Sequence, residues 1–155
     1  MGVEDAIIYV DTSWNGGVCQ TGYHIEIKGE CFEGSSAVFQ CTDNNSAEVK
    51  GIQIACQKAI ECHHAIFPDK MGSYRFLVYN DNITAVTVSD SMYTPSIKAR
   101  GRFQSTTEIK NWCEEHNVIL KCIRKKRSHH VMKKCDKLSK KFRKEGKGGI
   151  TRDEN

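Results

Sequence analysis

Several common features are missing from this sequence. It has only 2 prolines among its 155 residues, and it contains no low-complexity tract and no internal repeat. Collagen, solenoid arrays and wholesale disorder are therefore excluded. Its longest apolar runs are far shorter than the roughly 20 residues that a membrane-spanning helix needs. The first residues lack the basic start and the apolar stretch of a signal peptide, so we expect a cytoplasmic protein that has no membrane partner.

The chain has eight cysteines but lacks the spacing of a zinc finger. A chain of this length buries a core without disulfides, and cytoplasmic thiols stay reduced. We therefore expect most of the cysteines to be small core side chains. Zinc binding is the weaker alternative, because no Cys-x-x-Cys pair supports it. The residues that it would use are Cys62, His63, His64, Cys113 and His116.

Basic residues are scarce in the first part of the chain and acidic residues are scarce in the second. Residues 1–90 carry 5 Lys/Arg and 12 Asp/Glu, whereas residues 91–155 carry 18 and 7. A dense cluster of one sign repels itself unless a polyanion is near. Nucleic acid is therefore favoured as a partner over the alternative of a solvated helix face. The densest basic run is Arg124, Lys125, Lys126 and Arg127.

Hydrophobic periodicity predicts one mixed α/β domain over residues 1–146, followed by a flexible tail at 147–155. Apolar or alternating runs bounded by turn residues predict five strands, and runs with the 3.6-residue period predict four helices. The predicted strands are 6–12, 23–28, 36–42, 75–79 and 118–123, and the predicted helices are 46–62, 82–89, one that begins near 105, and 130–145. This order predicts a five-stranded mixed sheet flanked by helices.

Four acidic residues occupy informative places in that order. Asp11 lies at the end of one predicted strand and Asp81 just past the end of another, while Glu48 and Asp136 lie on predicted helices. Strands that end at the same edge of a sheet bring their last residues together, and a helix beside each can add a further carboxylate. Any one of these acids is more often an ordinary surface or turn residue. Together, mutually repelling carboxylates take up protons or hold divalent cations, and all-oxygen ligands favour Mg²⁺ or Mn²⁺. Two ions would clamp the attacking and departing oxygens of a phosphoryl transfer.

The motifs around these four residues resemble those of the type 1 ribonuclease H family. The Asp-Thr-Ser at 11–13 is similar to the family's Asp-Gly-Ser on the first strand, and residues 42–48 are similar to its Thr-x-Asn-Asn-x-x-Glu helix entry. Residues 80–82 are similar to its Thr-Asp-Ser, and residues 134–138 to its x-x-Asp-x-Leu on the last helix. The resemblance spans about residues 7–144 in the family's order, and it implies a ribonuclease H-like fold.

The resemblance also implies a function: a monomeric endonuclease that cuts the RNA strand of an RNA/DNA hybrid and leaves 5′-phosphate and 3′-hydroxyl ends. The implied ligands of two Mg²⁺ or Mn²⁺ ions are Asp11, Glu48, Asp81 and Asp136. The implied contacts to the nucleic acid are made by Asn15, Gly16, Asn44 and Asn45, with the basic run at 124–127 as a further contact surface. The family's mobile histidine has no direct counterpart, since Lys126 stands at its place in an ungapped reading. His129 is the expected catalytic histidine, with His130 and a simple phosphate contact as alternatives.

Two departures from the family leave other functions open. Thr12 replaces a glycine, which we expect to alter how closely an RNA strand approaches, and Met132 stands where the last helix usually carries asparagine. A non-catalytic nucleic-acid-binding module that keeps the fold is therefore the second hypothesis. A related nuclease that acts on DNA structures is the third.

Overall fold

A computed structural model describes residues 4–94 and 104–143, which form six strands and four helices. The strands are β1 (Ala6–Asn15), β2 (Val18–Ile27), β3 (Glu30–Ser35), β4 (Phe39–Gln40), β5 (Tyr74–Asn80) and β6 (Val118–Arg124). The helices are α1 (Asn44–Ile66), α2 (Ile83–Ser89), α3 (Gln104–His116) and α4 (His130–Ser139). The predicted tail at 147–155 lies outside the described residues.

One mixed sheet joins the strands in the order β3-β2-β1-β5-β6, and β4 pairs with β2 off this path. The pairs β1–β2 and β2–β3 are antiparallel hairpins, whereas β5 is parallel to both β1 and β6. The first hairpin turns at Gly16 and Gly17, which both have positive φ angles and so suit a two-residue turn. The predicted sheet with flanking helices is confirmed, with six strands in place of the five predicted.

Side chains alternate between the two faces of the sheet. On β1, Ala6, Ile8 and Val10 belong to the main hydrophobic core, which also contains side chains of α1, α2 and α3. Tyr9 and Asp11 therefore point to the opposite face, where α4 packs across β1 and β2. This second side of the sheet is called the α4 face below, and it is the side on which the acidic residue of β1 lies.

Helix α1 is longer than its apolar pattern predicts. It begins at Asn44 because the Asp43 side chain accepts a hydrogen bond from the Ser46 backbone N–H at 2.8 Å. It continues to Ile66, just before Pro68, which cannot prolong a helix. The predicted span of 46–62 is therefore correct in place but short at both ends.

The third strand was predicted in the wrong place. Lys28 and Gly29 have φ angles of 47° and 81° and reverse the chain at once, so Glu30–Ser35 pairs with β2, and only Phe39–Gln40 is a strand within residues 36–42. β3 escaped detection because an edge strand carries polar side chains on its open side. The last helix also ends earlier than 145, since Lys140 is its C-cap.

The cysteines are less uniformly internal than expected. All eight are free thiols, and four of them, Cys19, Cys56, Cys62 and Cys135, are buried, whereas Cys31 is exposed. Separately, no helix in the described ranges combines the length and apolar character needed to cross a bilayer.

Candidate active site

Three carboxylates meet where β5 ends beside the middle of β1, which continues past Asp11 to Asn15. Oxygen atoms of Asp11 on β1, Glu48 on α1 and Asp81, the residue after β5, lie within 4.8 Å of one another. Asp11 is 4% exposed and Glu48 is 5% exposed. The parallel pairing of β1 with β5, which extends to Tyr9 and Tyr79, places Asp11 beside the residue that follows β5, and the first turns of α1 contribute the glutamate. The structure thus assembles the first three of the four predicted acids, and we call them the carboxylate cluster.

Asp136 lies beside the carboxylate cluster, on α4. Its carboxyl contributes to the raised pKa of Asp11, and it accepts a hydrogen bond from Lys140 Nζ at 3.1 Å. The fourth predicted acid is therefore next to the site, but it is held by its own lysine and does not belong to the compact group of three.

Two glycines let helices approach the strands that carry the site. Gly22 is the register partner of Asp11, and a Cβ there would collide with the Cys135 carbonyl oxygen of α4. A Cβ at Gly51 of α1 would likewise collide with the hydroxyl of Thr12. The absence of two side chains thus sets how close α4 and α1 lie to β1. Neither glycine was among the predicted site residues, although an isolated glycine inside a strand or helix signals a close approach.

The two departures from the family motifs lie inside the protein. Thr12 is buried, and its hydroxyl is 2.8 Å from the Thr21 hydroxyl, on the side where Gly51 leaves room. Met132 is also buried, under α4. The expectation that the Thr12 side chain alters the approach of an RNA strand is not supported by this inward position.

Two carboxyl groups of the cluster, those of Asp11 and Glu48, resist ionisation. Burial first, then the charges of Glu48, Asp81 and Asp136, raises the pKa of Asp11 from 3.8 to about 9. Burial likewise raises the pKa of Glu48 from 4.5 to about 8, against the opposing effect of a hydrogen bond from Asn80. Both shifts have the direction expected for like charges withdrawn from water, and a bound cation would reverse them.

Asn80 is a site residue that sequence reasoning missed. It is fully buried, and its amide nitrogen donates to the Val10 carbonyl at 2.8 Å and to Glu48 Oε1 at 3.1 Å. Its side-chain oxygen accepts a hydrogen bond from the Asn82 backbone N–H at 2.8 Å. One amide therefore joins β1, the carboxylate of α1 and the residue after Asp81. Its place directly before a predicted ligand was the only available signal.

The residues predicted to touch nucleic acid form two groups around the cluster. On one side, Asn15 and Gly16 are exposed at the first hairpin turn, and Asn44 is exposed at the start of α1. Asn45 Oδ1 accepts a hydrogen bond from Asn82 Nδ2 at 3.0 Å. The turn and the segment before α1 are adjacent because the Cys41 N–H donates a hydrogen bond to the Gly17 carbonyl at 3.0 Å. The two segments together line a groove of about 300 Å³.

The basic run lies on the other side of the cluster, and its members are not equivalent. Arg127 Nε donates to Asp81 Oδ2 at 2.9 Å, and Arg124 Nε donates to the Asp81 carbonyl at 3.2 Å. Lys125 Nζ lies 4.3 Å from the centre of the Tyr79 ring. Lys126 is exposed. Two arginines of the run thus contact a cluster residue itself.

His129 has a structural role at the start of α4. Its Nδ1 accepts a hydrogen bond from the Val131 N–H at 3.2 Å, and its ring stacks on Tyr9 with 5.6 Å between centres. Partial desolvation, followed by His130 and Lys125, lowers its pKa. Because Tyr9 precedes Asp11 by two residues on the same strand, His129 is on the face of Asp11 and about 7 Å along the strand from it.

The zinc alternative finds no support at the predicted residues. Within residues 4–94 and 104–143, no three ligand atoms of Cys62, His63, His64, Cys113 and His116 are close enough together to share an ion. Cys62 and His63 are buried in the fold, whereas His64 is exposed on another side of α1.

Sequence comparison gives no relative, whereas structural comparison does. No family model and no curated protein matches the sequence. The ribonuclease H1 of the halophilic archaeon Halobacterium salinarum aligns with a TM-score of 0.64 and 12% identity, covering 90% of this chain and 98% of that one. The N-terminal ribonuclease H domain of a Mycobacterium tuberculosis protein aligns with a TM-score of 0.60 and 12% identity, covering 94% and 97%.

A third match is LC11 ribonuclease H1, a protein isolated from compost. The matching solved structure contains this protein in complex with an RNA/DNA hybrid. It aligns with a TM-score of 0.55 and 22% identity, covering 86% of this chain and 93% of that one. The chain has the ribonuclease H fold. At these identities the likeness concerns the fold, and it confirms the fold that the sequence motifs predicted.

Within this ribonuclease H fold, the chemistry of the donor atoms fits a hard divalent cation. The ligand atoms of the carboxylate cluster are all oxygen, and the raised pKa values of Asp11 and Glu48 indicate that the site lacks positive charge when it holds no cation. Mg²⁺ and Mn²⁺ prefer such ligands. The cluster, with Asp136 beside it, is therefore suited to hold these ions.

Proposed function

We propose that this chain is a ribonuclease H that hydrolyses the RNA strand of an RNA/DNA hybrid, with two Mg²⁺ or Mn²⁺ ions as cofactors. The observation that carries this proposal is the buried cluster of Asp11, Glu48 and Asp81, with Asp136 next to it, where β5 ends beside β1 in a ribonuclease H fold. The complex of LC11 ribonuclease H1 with a hybrid supports the choice of substrate.

Each carboxylate of the site has a local partner that orients it. Asp11 Oδ1 accepts a hydrogen bond from the Thr12 N–H at 3.0 Å, and Glu48 Oε1 accepts one from Asn80. Arg127 holds Asp81. When bound, two ions would stabilise the charge that develops on the attacking and departing oxygens of the scissile phosphate. The fixed carboxylates therefore supply position, which is the main contribution of a protein to this kind of phosphoryl transfer.

The residues around the cluster are proposed to hold the hybrid. The hairpin turn with Asn15 and Gly16 and the start of α1 with Asn44 and Asn45 form one wall, whose backbone and amide donors suit phosphate oxygens. The basic run at 124–127 forms the other wall. Because Arg124 and Arg127 contact Asp81, Lys126 is the member whose change tests phosphate binding without disturbing the cluster.

The proposal is tested by incubating the purified protein with end-labelled hybrid, RNA duplex and DNA duplex, in Mg²⁺ or in Mn²⁺. We expect cleavage of the RNA strand of the hybrid alone, with 5′-phosphate and 3′-hydroxyl ends. Salt-dependent binding of hybrid without cleavage in either metal would instead identify a non-catalytic module. Cleavage of the DNA duplex would identify a DNA nuclease.

The proposed binding wall has a separate test in the salt dependence of hybrid binding. Lys126→Glu should flatten the slope of log affinity against log salt by about one unit for each phosphate that the lysine no longer neutralises, and should raise KM more than it lowers kcat. Lys28→Glu, an equal charge change in the β2–β3 turn, is the matched control. Equal slopes for both variants would remove Lys126 from the binding surface.

A further inference from the structure

A second group of ligating side chains lies on the α4 face, away from the carboxylate cluster. His24 and Glu26 are two residues apart on β2 and so point to the same face. Glu33 is the register partner of His24 on β3, and Cys31 is the register partner of Glu26. The four side chains therefore form a two-by-two block across the β2–β3 hairpin, which we call the hairpin cluster.

The ligand atoms of the hairpin cluster are close together. A ring nitrogen of His24, a carboxylate oxygen of Glu26 and the sulfur of Cys31 all lie within 4.8 Å of one another. His24 is 5% exposed, with Nε2 at 2.9 Å from Glu26 and Nδ1 at 2.5 Å from Glu33. Cys31 is exposed, so an ion can enter from the solvent side.

We propose that His24, Glu26 and Cys31 bind one divalent cation of the borderline class, such as Zn²⁺ or Co²⁺, at a site separate from the carboxylate cluster. Imidazole and thiolate select such ions, whereas Mg²⁺ prefers oxygen. Three protein ligands leave a fourth tetrahedral position for water. Ligand atoms around a tetrahedral zinc ion are roughly 3.5 Å apart. The three ligand atoms here lie within 4.8 Å of one another, so they need to move only slightly closer together. Binding displaces the proton on Nε2 and the thiol proton, and both pass to solvent.

Glu33 contacts the ring nitrogen of His24 that does not face the proposed ion, and so orients the ring. It accepts from Nδ1 of His24, which leaves Nε2 as the nitrogen that faces Glu26 and the ion. Lys134 Nζ lies 3.1 Å from Glu33 Oε2 and holds it in place from α4. Hydrogen bonds from His24 and Lys134 lower the pKa of Glu33, so this carboxylate is charged when it orients the ring. A carboxylate behind a ligating histidine is the usual second partner of a bound metal.

The competing explanation is a metal-free ion network. Two carboxylates on one histidine satisfy both ring nitrogens when the ring carries two protons. In that case Cys31 is an uninvolved surface thiol. The two explanations differ in whether the Cys31 sulfur is a metal ligand. The experiment therefore detects a bond between the metal and this sulfur.

The test is titration of the full chain with Co²⁺ in excess Mg²⁺, which occupies the carboxylate cluster. We expect one equivalent of Co²⁺ to produce the near-ultraviolet charge-transfer band of a cobalt–thiolate bond. Cys31→Ser should abolish the band, while Cys41→Ser, a partly exposed thiol elsewhere on the molecule, should keep it. Glu33→Gln should keep the band and weaken the affinity for Co²⁺ about tenfold.

Two results would overturn the proposal: no thiolate band in the unaltered chain, or a band that survives Cys31→Ser. Circular dichroism of each variant separates loss of binding from loss of fold, and Cys31, an exposed residue of an edge strand, is expected to tolerate serine. None of these readouts uses cleavage, so failure here is distinct from failure of the proposed nuclease function.

Discussion

The carboxylate cluster and the hairpin cluster lie on the same sheet, two register positions apart, yet their electrostatics are opposite. Asp11 pairs with Gly22, and two residues earlier Tyr9 pairs with His24. In the carboxylate cluster, buried like charges raise the pKa values of Asp11 and Glu48. In the hairpin cluster, acids alternate with basic groups, and the pKa of Glu33 is lowered.

This difference shows how one sheet can offer sites for two kinds of ion. Repulsion among buried oxygens is relieved only by added positive charge, so the carboxylate cluster favours a hard cation. The acids of the hairpin cluster already contact His24 and Lys134, so only an ion that gains from nitrogen and sulfur ligands has reason to bind there. The variants that follow either remove this difference in electrostatics or allow it to be measured.

The largest expected effect comes from removing the central charge of the carboxylate cluster. Asp11→Asn should lower kcat for hybrid cleavage by at least about 100-fold, as expected when a main electrostatic contribution is lost. The fold should remain intact, because one of several repelling charges is gone. Steady-state kinetics and a urea unfolding curve measure both effects. A variant that cleaves at a near wild-type rate would remove Asp11 from the metal ligands.

A second prediction concerns Asn80, whose neutral side-chain amide orients Glu48 of the carboxylate cluster. Asn80→Ala leaves Glu48 and the Val10 carbonyl without their donor, and we expect Mg²⁺ affinity to fall about tenfold and stability by about 1–3 kcal/mol. Isothermal titration with Mg²⁺ and urea unfolding provide the two numbers.

The control for this change is Ser91→Ala, which removes a side chain that accepts from the Leu120 N–H, away from the carboxylate cluster. It should cost stability without changing Mg²⁺ affinity. If both variants lose Mg²⁺ affinity equally, Asn80 acts through general stability and is not a positioning residue.

A third effect appears in the pH dependence of stability without metal. Because the pKa of Asp11 is raised on folding, its contribution to stability is fully present below about pH 4 and is lost as the pH rises toward 9. Relative to Asp11→Asn, the unaltered chain should therefore lose stability between pH 5 and pH 8, by roughly 1 kcal/mol per pH unit. Urea unfolding at three pH values gives the difference, and Mg²⁺ should diminish it. Parallel curves for the two proteins would contradict the raised pKa.

The smallest effect concerns the arginine that contacts the carboxylate cluster. Arg127→Gln removes a cation from Asp81, so Mg²⁺ should bind a few-fold more tightly while the hybrid binds more weakly. The gain is small because the arginine side chain is mostly exposed. Titration with Mg²⁺ in the absence of nucleic acid isolates the first effect. Weaker Mg²⁺ binding would mean that Arg127 supports the site and does not compete with the metal.

Much of the fold and three of the four acids could be predicted, because the signals are local. The period of the apolar residues places Asp11 at a strand end, Asp81 just past another and Glu48 on the inward face of a helix. The parallel pairing of β1 with β5 then brings Asp11 and Asp81 together. β3 was misplaced because an exposed edge strand has little apolar pattern.

What could not be predicted depends on register and on close approach. Cys31 faces Glu26 only because the Lys28–Gly29 turn fixes the pairing of β2 with β3. The contact of Arg127 with Asp81 joins residues 46 positions apart. Gly22 matters only because α4 crosses it, which no local pattern reports.

The order in which the chain is synthesised gives the position of α4 a further consequence. β1, α1 and β5 precede α4 in the chain, so a nascent chain contains Asp11, Glu48 and Asp81 before it contains Asp136. Until α4 docks, the sheet face beside Gly22 is uncovered and the Ser13 hydroxyl has no Ser139 carbonyl to receive its hydrogen bond. The complete set of four acids therefore arises only after translation has passed the last described helix, so a ribosome-bound chain stalled before this point lacks a finished site.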